Sequence, residues 1–482
     1  MKHSTKDSSG IDVLFMPAPL QFKKGNHYKP KGDETSTPPI GLMYIASFLN
    51  SKGYKCQILD IGLKSLSLSE TINYIKKVNP RVVGISILTP STITAVPLAQ
   101  EIKKKLPHIL VGCGGTHVCV DPTFIKRYPY FDFGVQGEGE HIMLEIMKKL
   151  DSNKKISGMY NGDYIKDLDS LPFPDYSLID FKEYGYPLDP VGKRWSPIAM
   201  TTSRGCPFSC SFCSKPESRR FVRFRSAKNI VDEIEKNYSI SRGEYSFMDD
   251  TMTLNQPNML EVCRLIMKRK LKISWCAMTR ADCLTPRLAR QMKKAGCREL
   301  FLGVESGDER IRNEVIGKHV SDKKIFRAIE ICHQSGIRSS IFLMLGFPTE
   351  GRIEMEKTAR YLVTSKADLM GIHLTCPLPG SRLFDQAIKE KIISKNIVDD
   401  FIAGKYGPDY SFWPKYVPKG LQLSDLESIR GNALRKCYLR LGFVFQLLSY
   451  YFKFPRRIKY DKHLYSSAFA ILTSGKSKVQ FS

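Results

Sequence analysis

The sequence has no run of about 18 apolar, uncharged residues, so no membrane-spanning helix is expected in its 482 residues. The opening Met1-Lys-His-Ser-Thr-Lys-Asp7 is polar and has no apolar secretory core. A cytoplasmic protein is the expectation. No internal repeat and no low-complexity tract occurs, which sets aside solenoids and disordered linkers. Acidic residues are few, 48 against 74 Lys and Arg, leaving a net charge of +26. That excess draws anionic partners. Zinc-finger spacing, an RNA-binding signature and a continuous basic block are all absent, so nucleic acid is not expected among them.

Disulfide logic is also missing. The thirteen cysteines are odd in number and scattered, and several (Cys276, Cys297, Cys332) sit inside apolar runs. They read as free thiols in a reducing compartment. Hydrophobic content of 42% and charged content of 25% are ordinary for globular protein. The length suits two or three domains, each long enough to bury a core.

The first part of the chain alternates strand-like and helical patterns. Strands are expected at 11–16, 56–60, 82–88, 109–113 and 132–136, and a helix over 39–53 with Gly53 as its stop. Val82-Val-Gly-Ile-Ser-Ile-Leu88 is nearly all apolar, as a buried parallel strand is. The alternation predicts a doubly wound, Rossmann-like parallel sheet over 10–155. Its ligand-facing carboxyl ends carry Asp60, Ser86 to Thr89, Gly114 to His117 and Gly137 to Glu140.

Residues 156–195 read as a linker, since Leu168-Asp-Ser-Leu-Pro-Phe-Pro-Asp175 has two prolines and no period. Alternation restarts at 196. Strands are expected at 197–202, 244–249, 272–278, 298–304, 337–345 and 369–375, with a helix opening at Ser226. Six β/α units over 196–390 predict a partial TIM-type barrel whose site lies at the strands' carboxyl ends. Residues 391–482 are rich in Lys and aromatics and predict a mainly helical C-terminal region. Within it, Tyr438 to Phe454 followed by Pro455-Arg-Arg457 suits either a helix packed on the barrel or one lying on anionic lipid.

The densest chemistry is Arg204-Gly-Cys-Pro-Phe-Ser-Cys-Ser-Phe-Cys-Ser214, which places Cys206, Cys210 and Cys213 as Cys-x3-Cys-x2-Cys after the first barrel strand. A [4Fe–4S] cluster usually takes a protein ligand on each iron. Three thiols leave one iron open for a small molecule. A zinc site with a fourth ligand elsewhere is the competing reading.

This triplet, placed after the first strand of a β/α barrel, resembles the radical S-adenosylmethionine (radical SAM) superfamily. The resemblance implies that the open iron chelates SAM and that SAM is cleaved to methionine and a 5′-deoxyadenosyl radical. Reduced flavodoxin or ferredoxin is the implied electron donor. Other strand ends match the same superfamily. Phe247-Met-Asp-Asp250 offers Asp249 or Asp250 to the SAM ammonium, or an N-cap to the next helix. Ser274 to Arg280 ends in an Arg suited to a carboxylate. Gly303-Val-Glu-Ser306 supplies Glu305 and Ser306 as polar SAM contacts, and Gly346 to Glu350 and Cys376 to Ser381 end the last two strands.

The upstream sheet resembles the cobalamin (B12)-binding domain that precedes the barrel in one large class of these enzymes. Ser86-Ile-Leu88 matches its Ser-x-Leu, and Gly114-Gly-Thr-His117 its Gly-Gly-x-His. Ser86, Leu88, Gly114, Gly115 and His117 are the implied cobalamin contacts. In the Asp-x-His-x-x-Gly pattern of other cobalamin proteins, this chain has Gly62 for His and Ser65 for Gly after Asp60. The lower-ligand histidine is therefore missing, as is usual in this class.

The resemblance covers about 10–385 and implies cobalamin-dependent C-methylation. The same scaffold also serves cyclisation, rearrangement and carbon–carbon coupling. A non-catalytic cobalamin or redox sensor is the alternative from another class. The basic charge and apolar tail point to a small-molecule, lipid-like or anionic substrate, with peripheral membrane contact through the C-terminal region.

Overall fold

The structure, a computed structural model, describes residues 10–20, 37–184, 197–215, 221–407 and 410–438. The stretch 439–482, which carries most of the expected interfacial helix, lies outside them. Among the described residues no helix is long and apolar enough to cross a membrane.

The chain divides into two compact units. The first runs to Tyr184 and takes back Ser394–Trp413; the second holds the barrel up to Ile393 and resumes at Pro414. Of the stretch 391–482, expected as one helical region, the described residues up to 438 are thus shared between the two.

The first unit is a six-stranded parallel sheet of β1 (Val13–Pro17), β2 (Cys56–Ile58), β3 (Val82–Ser86), β4 (Leu110–Gly114), β5 (Phe133–Gln136) and β6 (Gly158–Asn161), in the order β2-β1-β3-β4-β5-β6. Five strands lie where the apolar runs place them. The sixth falls in the expected linker and pairs with β5 from Phe133↔Gly158 to Gln136↔Asn161. It is a four-residue edge strand with no fully buried side chain, so it has no apolar run to betray it. Alternation along β1 feeds two cores: Leu14 and Met16 pack on one face, Val13 and Phe15 on the other. The order reverses direction between β1 and β3, and the carboxyl ends there form the usual ligand crevice of such sheets.

The returning segment Ser394–Trp413 is tied to the first unit by charge and packing. Asp399 accepts from Arg127 Nε (3.0 Å) and from the Tyr128 hydroxyl (2.8 Å), and Ile402 packs on the core beside β1 and β3.

The second unit is an open, all-parallel barrel of β7 (Ile198–Met200), β10 (Glu244–Phe247), β11 (Ser274–Thr279), β12 (Cys297–Glu305), β13 (Arg338–Leu345) and β14 (Leu369–Leu374). Spatial order follows chain order, β14-β13-β12-β11-β10-β7. Leu302, Val304, Ile341, Leu343 and Leu345 face outward into the helix layer. Ser226 caps its helix by accepting the Asn229 N–H at 3.2 Å. Between β7 and β10 lies a two-stranded antiparallel stalk, β8 (Ser203–Arg204) on β9 (Arg223–Phe224). The sequence gives no sign of it, because two-residue strands have no period. All thirteen cysteines are free thiols, and Cys276, Cys297 and Cys332 are buried as expected.

Candidate functional site

The β8–β9 stalk leads out of the barrel into the loop that carries Cys206, Cys210 and Cys213, all half-buried. Several bonds seat this loop on the barrel mouth. Ser211 N–H donates to the Ile316 carbonyl (2.8 Å), Leu383 N–H to the Ser211 carbonyl (2.9 Å) and Arg382 to the Ser209 carbonyl (2.6 Å). Cys210 and Phe212 pack against Ile311, Ile316 and Phe347. Three thiols within eight residues of one loop supply a donor set suited to a [4Fe–4S] cluster with one iron left open. Burial raises the Cys210 thiol, and Lys318 and Arg280 draw it back down while Glu305 and Cys206 oppose them. Two cations thus face the position where thiolate charge must gather.

Arg280, after β11, lies with its guanidinium 3.6 Å from the centre of the Phe208 ring in the cysteine loop. It also donates to the Lys318 carbonyl at 2.8 Å and pairs with Asp282 at 3.0 Å. Glu305 ends β12 with φ +68°, a conformation a side-chain-bearing residue seldom adopts. The register slips between Gly303 and Glu305, and the bulge re-aims the carboxylate. Gly303 makes room for it, since a Cβ there would collide with Glu305 Oε1. Lys318 Nζ meets that oxygen at 2.8 Å, and both side chains are buried. Lys318 is a site residue that sequence reasoning missed. Its burial and its pairing with Glu305 single it out, and neither is visible along the chain.

The remaining expected SAM contacts divide. Asp250 is exposed at the end of β10. Asp249 is buried and turned inward, accepting from Thr202 N (3.0 Å), Thr202 Oγ1 (2.8 Å) and Ser203 Oγ (2.5 Å). Its oxygens hold the base of the stalk in place. Ser306 is fully buried; its hydroxyl lies 3.2 Å from Thr358 Oγ1 and accepts the Asp308 N–H at 3.1 Å. Arg312, itself buried, donates to the Ser306 carbonyl at 2.7 Å and fixes that turn. Asp249→Ala is expected to leave the Thr202 and Ser203 donors unmatched, at about 1–3 kcal/mol for each group left buried. Iron retained after anaerobic reconstitution and gel filtration should fall well below wild type, and less so in Asp249→Asn. Wild-type iron content in the alanine variant would remove Asp249 from this role.

The loop after β13 braces the cysteine loop from behind. Glu350 accepts the N–H groups of Gly346 (2.7 Å) and Phe347 (2.9 Å), and Phe347 packs on Phe212 with ring centres 6.1 Å apart. Glu350 Oε1 is buried without a hydrogen-bond partner among the described residues. Burial pushes Glu350 up to about 7, against the pull of the two N–H groups. The folded state therefore holds the proton more tightly than the unfolded one. Its stabilising contribution is fully present below the ordinary carboxylate range and lost as pH rises through 7, about 3 kcal/mol in all. Melting curves of wild type and Glu350→Gln should diverge from pH 5 to 8, with the glutamine variant gaining relative stability. A difference that stays constant over that range contradicts the assignment.

In the first unit, Ser86 and Gly114 end β3 and β4 side by side. Leu88 extends past β3 and is 49% exposed. Gly115 has φ +96°, and a Cβ on it would stand 2.7 Å from the Ile87 carbonyl oxygen, so only glycine fits. His117 is fully enclosed. Its Nδ1 lies 3.1 Å from Thr89 Oγ1, Phe124 stands edge-on at 4.8 Å, and Nε2 has no hydrogen-bond partner among the described residues, the Asp121 carboxylate standing 3.9 Å away. Burial lowers it to about 4, so the ring is neutral and internal. Asp60 is also occupied, accepting from Leu63 N (2.9 Å) and the Tyr184 hydroxyl (3.0 Å). An exposed Leu88 beside bare glycine backbone fits a flat ring system laid on the sheet's carboxyl edge.

Comparison with known proteins agrees with both halves of the geometry. Residues 200–362 match the model of the radical SAM superfamily, and residues 33–147 that of the B12 binding domain. The chain is 30% identical over 376 residues to an uncharacterized methyltransferase of Pyrococcus horikoshii, covering 74% of this chain and 80% of the relative. It is 28% identical over 375 residues to an anaerobic magnesium-protoporphyrin IX monomethyl ester cyclase of Rubrivivax gelatinosus, covering 72% and 66%. In fold it is similar to the radical SAM methyltransferase TsrM of Kitasatospora setae, solved with cobalamin and a [4Fe–4S] cluster bound. That likeness has a TM-score of 0.61 at 15% identity and covers 79% of this chain and 75% of that one. A [4Fe–4S] cluster, SAM and cobalamin are the cofactors that these two domains imply. The chain belongs to the radical SAM superfamily, among the enzymes that carry a B12-binding domain ahead of the barrel.

Proposed function

We propose that the protein is a cobalamin-dependent C-methyltransferase that uses radical SAM chemistry on an unactivated carbon. The observation that carries this is the thiol loop seated against Arg280, Glu305 and Lys318, in a chain that also carries a B12-binding domain. Likeness to a methyltransferase over three quarters of the chain supports it.

Cys206, Cys210 and Cys213 would hold the cluster, and Arg280, Lys318, Glu305 and Asp250 would contact SAM. When bound, the cluster and SAM together supply a 5′-deoxyadenosyl radical, and cobalamin supplies a methyl carrier. The chain's own part is positioning and exclusion of water. Arg280 and Lys318 are fixed beforehand by Phe208, Asp282 and Glu305, so little reorganisation is needed to receive a carboxylate. Phe212 packed on Phe347 closes the site behind Cys210. Ser86, Leu88, Gly114 and Gly115 would support cobalamin, with His117 holding Thr89 from inside. A small reduced carrier such as flavodoxin or ferredoxin would supply the electron.

The test is anaerobic incubation of the reconstituted protein with reductant, methyl-labelled SAM and a small-molecule extract of the source cells. Formation of 5′-deoxyadenosine with label in a new product is expected. Absence of 5′-deoxyadenosine overturns the enzyme reading. Likeness to the Rubrivivax cyclase favours a second reading, ring closure. That outcome would give 5′-deoxyadenosine and a dehydrogenated product without label.

A further inference from the structure

The helical turn that follows β12 departs from α-helical geometry at Ile311–Val315, where the Ile316 N–H bonds back five residues to the Ile311 carbonyl at 2.9 Å. A π-helical turn of this kind carries an extra residue and is frequent at functional sites. Its consequence here is local. The Ile316 carbonyl leaves the helical ladder and receives the Ser211 N–H of the cysteine loop at 2.8 Å. Two residues on, Lys318 carries the ammonium paired with Glu305, and its carbonyl accepts from Arg280 at 2.8 Å. Gly317 at φ +75° and His319 at φ +55° turn the chain on either side of Lys318. Left-handed backbone before and after it thus aims this side chain.

One buried side chain spans the loop. Arg312 is fully enclosed, and its guanidinium donates to three separate stretches. Nε meets the Val320 carbonyl at 2.6 Å, Nη1 the Ser306 carbonyl at 2.7 Å, and Nη2 the Asp322 carboxylate. The Lys318 N–H bonds to the Arg312 carbonyl at 3.0 Å, and Asn313 Oδ1 receives the Val320 N–H at 2.8 Å. Residues 316–320 are therefore pinned at both ends to the π-helical turn. For stability alone a buried guanidinium is a poor choice, because its desolvation offsets much of what the partly exposed Asp322 returns. What its planar fork supplies is several fixed directions at once, which the single ammonium of a lysine does not match.

We propose that Arg312 is a positioning residue for the cofactor site. Through the π-helical turn it sets, together, the Lys318 ammonium that faces SAM and the Ile316 carbonyl that seats the cysteine loop. SAM affinity and the seating of the cluster loop are thereby coupled through one side chain. This rests on the reading above that Lys318 contacts SAM.

The test is a SAM titration of the full-length, cluster- and cobalamin-reconstituted protein, reduced and frozen. It is read by the change SAM makes in the electron paramagnetic resonance of the reduced cluster. Only cluster-bearing chains give this signal, so lost iron does not mimic weak binding. Arg312→Lys keeps a buried cation but loses the fork, and should raise the Kd for SAM about tenfold. Asn313→Ala frees only the Val320 N–H and should raise it about threefold. Arg338→Met is the control. It strands the buried Glu299, which accepts from Arg338 Nε at 3.0 Å at the amino ends of β12 and β13. It should lower the melting temperature and leave the Kd unchanged. A wild-type Kd in Arg312→Lys overturns the proposal; should that chain fail to fold, a wild-type Kd in Asn313→Ala does so. A rise in Arg338→Met equal to that in Arg312→Lys also overturns it, since lost stability alone then accounts for the effect. Lys318→Met combined with Glu305→Gln reports on the underlying reading. A wild-type Kd there removes Lys318 from SAM. A raised Kd there, with a wild-type Kd in Arg312→Lys, removes only the positioning role.

Discussion

Cys206→Ala, Cys210→Ala and Cys213→Ala are each expected to lose bound iron from about four atoms per chain to near none, and SAM cleavage with it. The thiols lie on one eight-residue stretch closed below by the β8–β9 stalk and seated above by Ile316, Arg382 and Leu383. A loop held at both ends offers no nearby thiol to replace a missing one without breaking these bonds. Cys283 is the informative control, because it is half-buried and its thiol feels Cys206 and Arg280. Cys283→Ala should keep its iron. If it loses iron as fully as Cys210→Ala, a fourth cysteine ligates the cluster, no iron is left open, and radical chemistry through SAM fails with it. Iron and sulfide analysis with visible absorption, on protein purified without oxygen, reads all four variants.

How far the sequence reached depended on how local each signal was. The strands Val82–Ser86 and Leu110–Gly114 are buried on both faces, so their apolar runs are continuous and easily seen. The edge strand Gly158–Asn161 owes its place to pairing with β5 alone, and the return of Ser394–Trp413 to the first unit rests on partners such as Arg127, more than 270 residues away. Neither leaves a periodic trace. In the site, the cysteine spacing is local and was legible. Asp249 and Ser306 were legible as polar residues at strand ends, but their direction is set by Thr202, Ser203 and Thr358, contacts that the sequence does not order. Lys318 was invisible among 74 basic residues. It becomes distinct only through burial against Glu305.

Lys318→Met is expected to be the most damaging single change outside the cysteines. It removes the cation from a buried pair and leaves Glu305 enclosed, at φ +68°, without its partner. Breaking such a pair costs about 3–5 kcal/mol, far more than the intact pair adds over an apolar substitute. The barrel's melting transition should drop by about 5–10 °C, and SAM cleavage should be lost. Loss of cleavage alone does not tell a SAM contact from a structural brace. The double variant Lys318→Met with Glu305→Gln separates them, because glutamine removes the stranded charge. Stability should largely return, since replacing both members of a buried pair is often near neutral. Cleavage should stay lost, because the cation beside Cys210 is still missing and Arg280 alone remains to face a carboxylate. Recovery of cleavage together with stability would make the pair a brace, and would leave the recognition of SAM to Arg280 and Asp250.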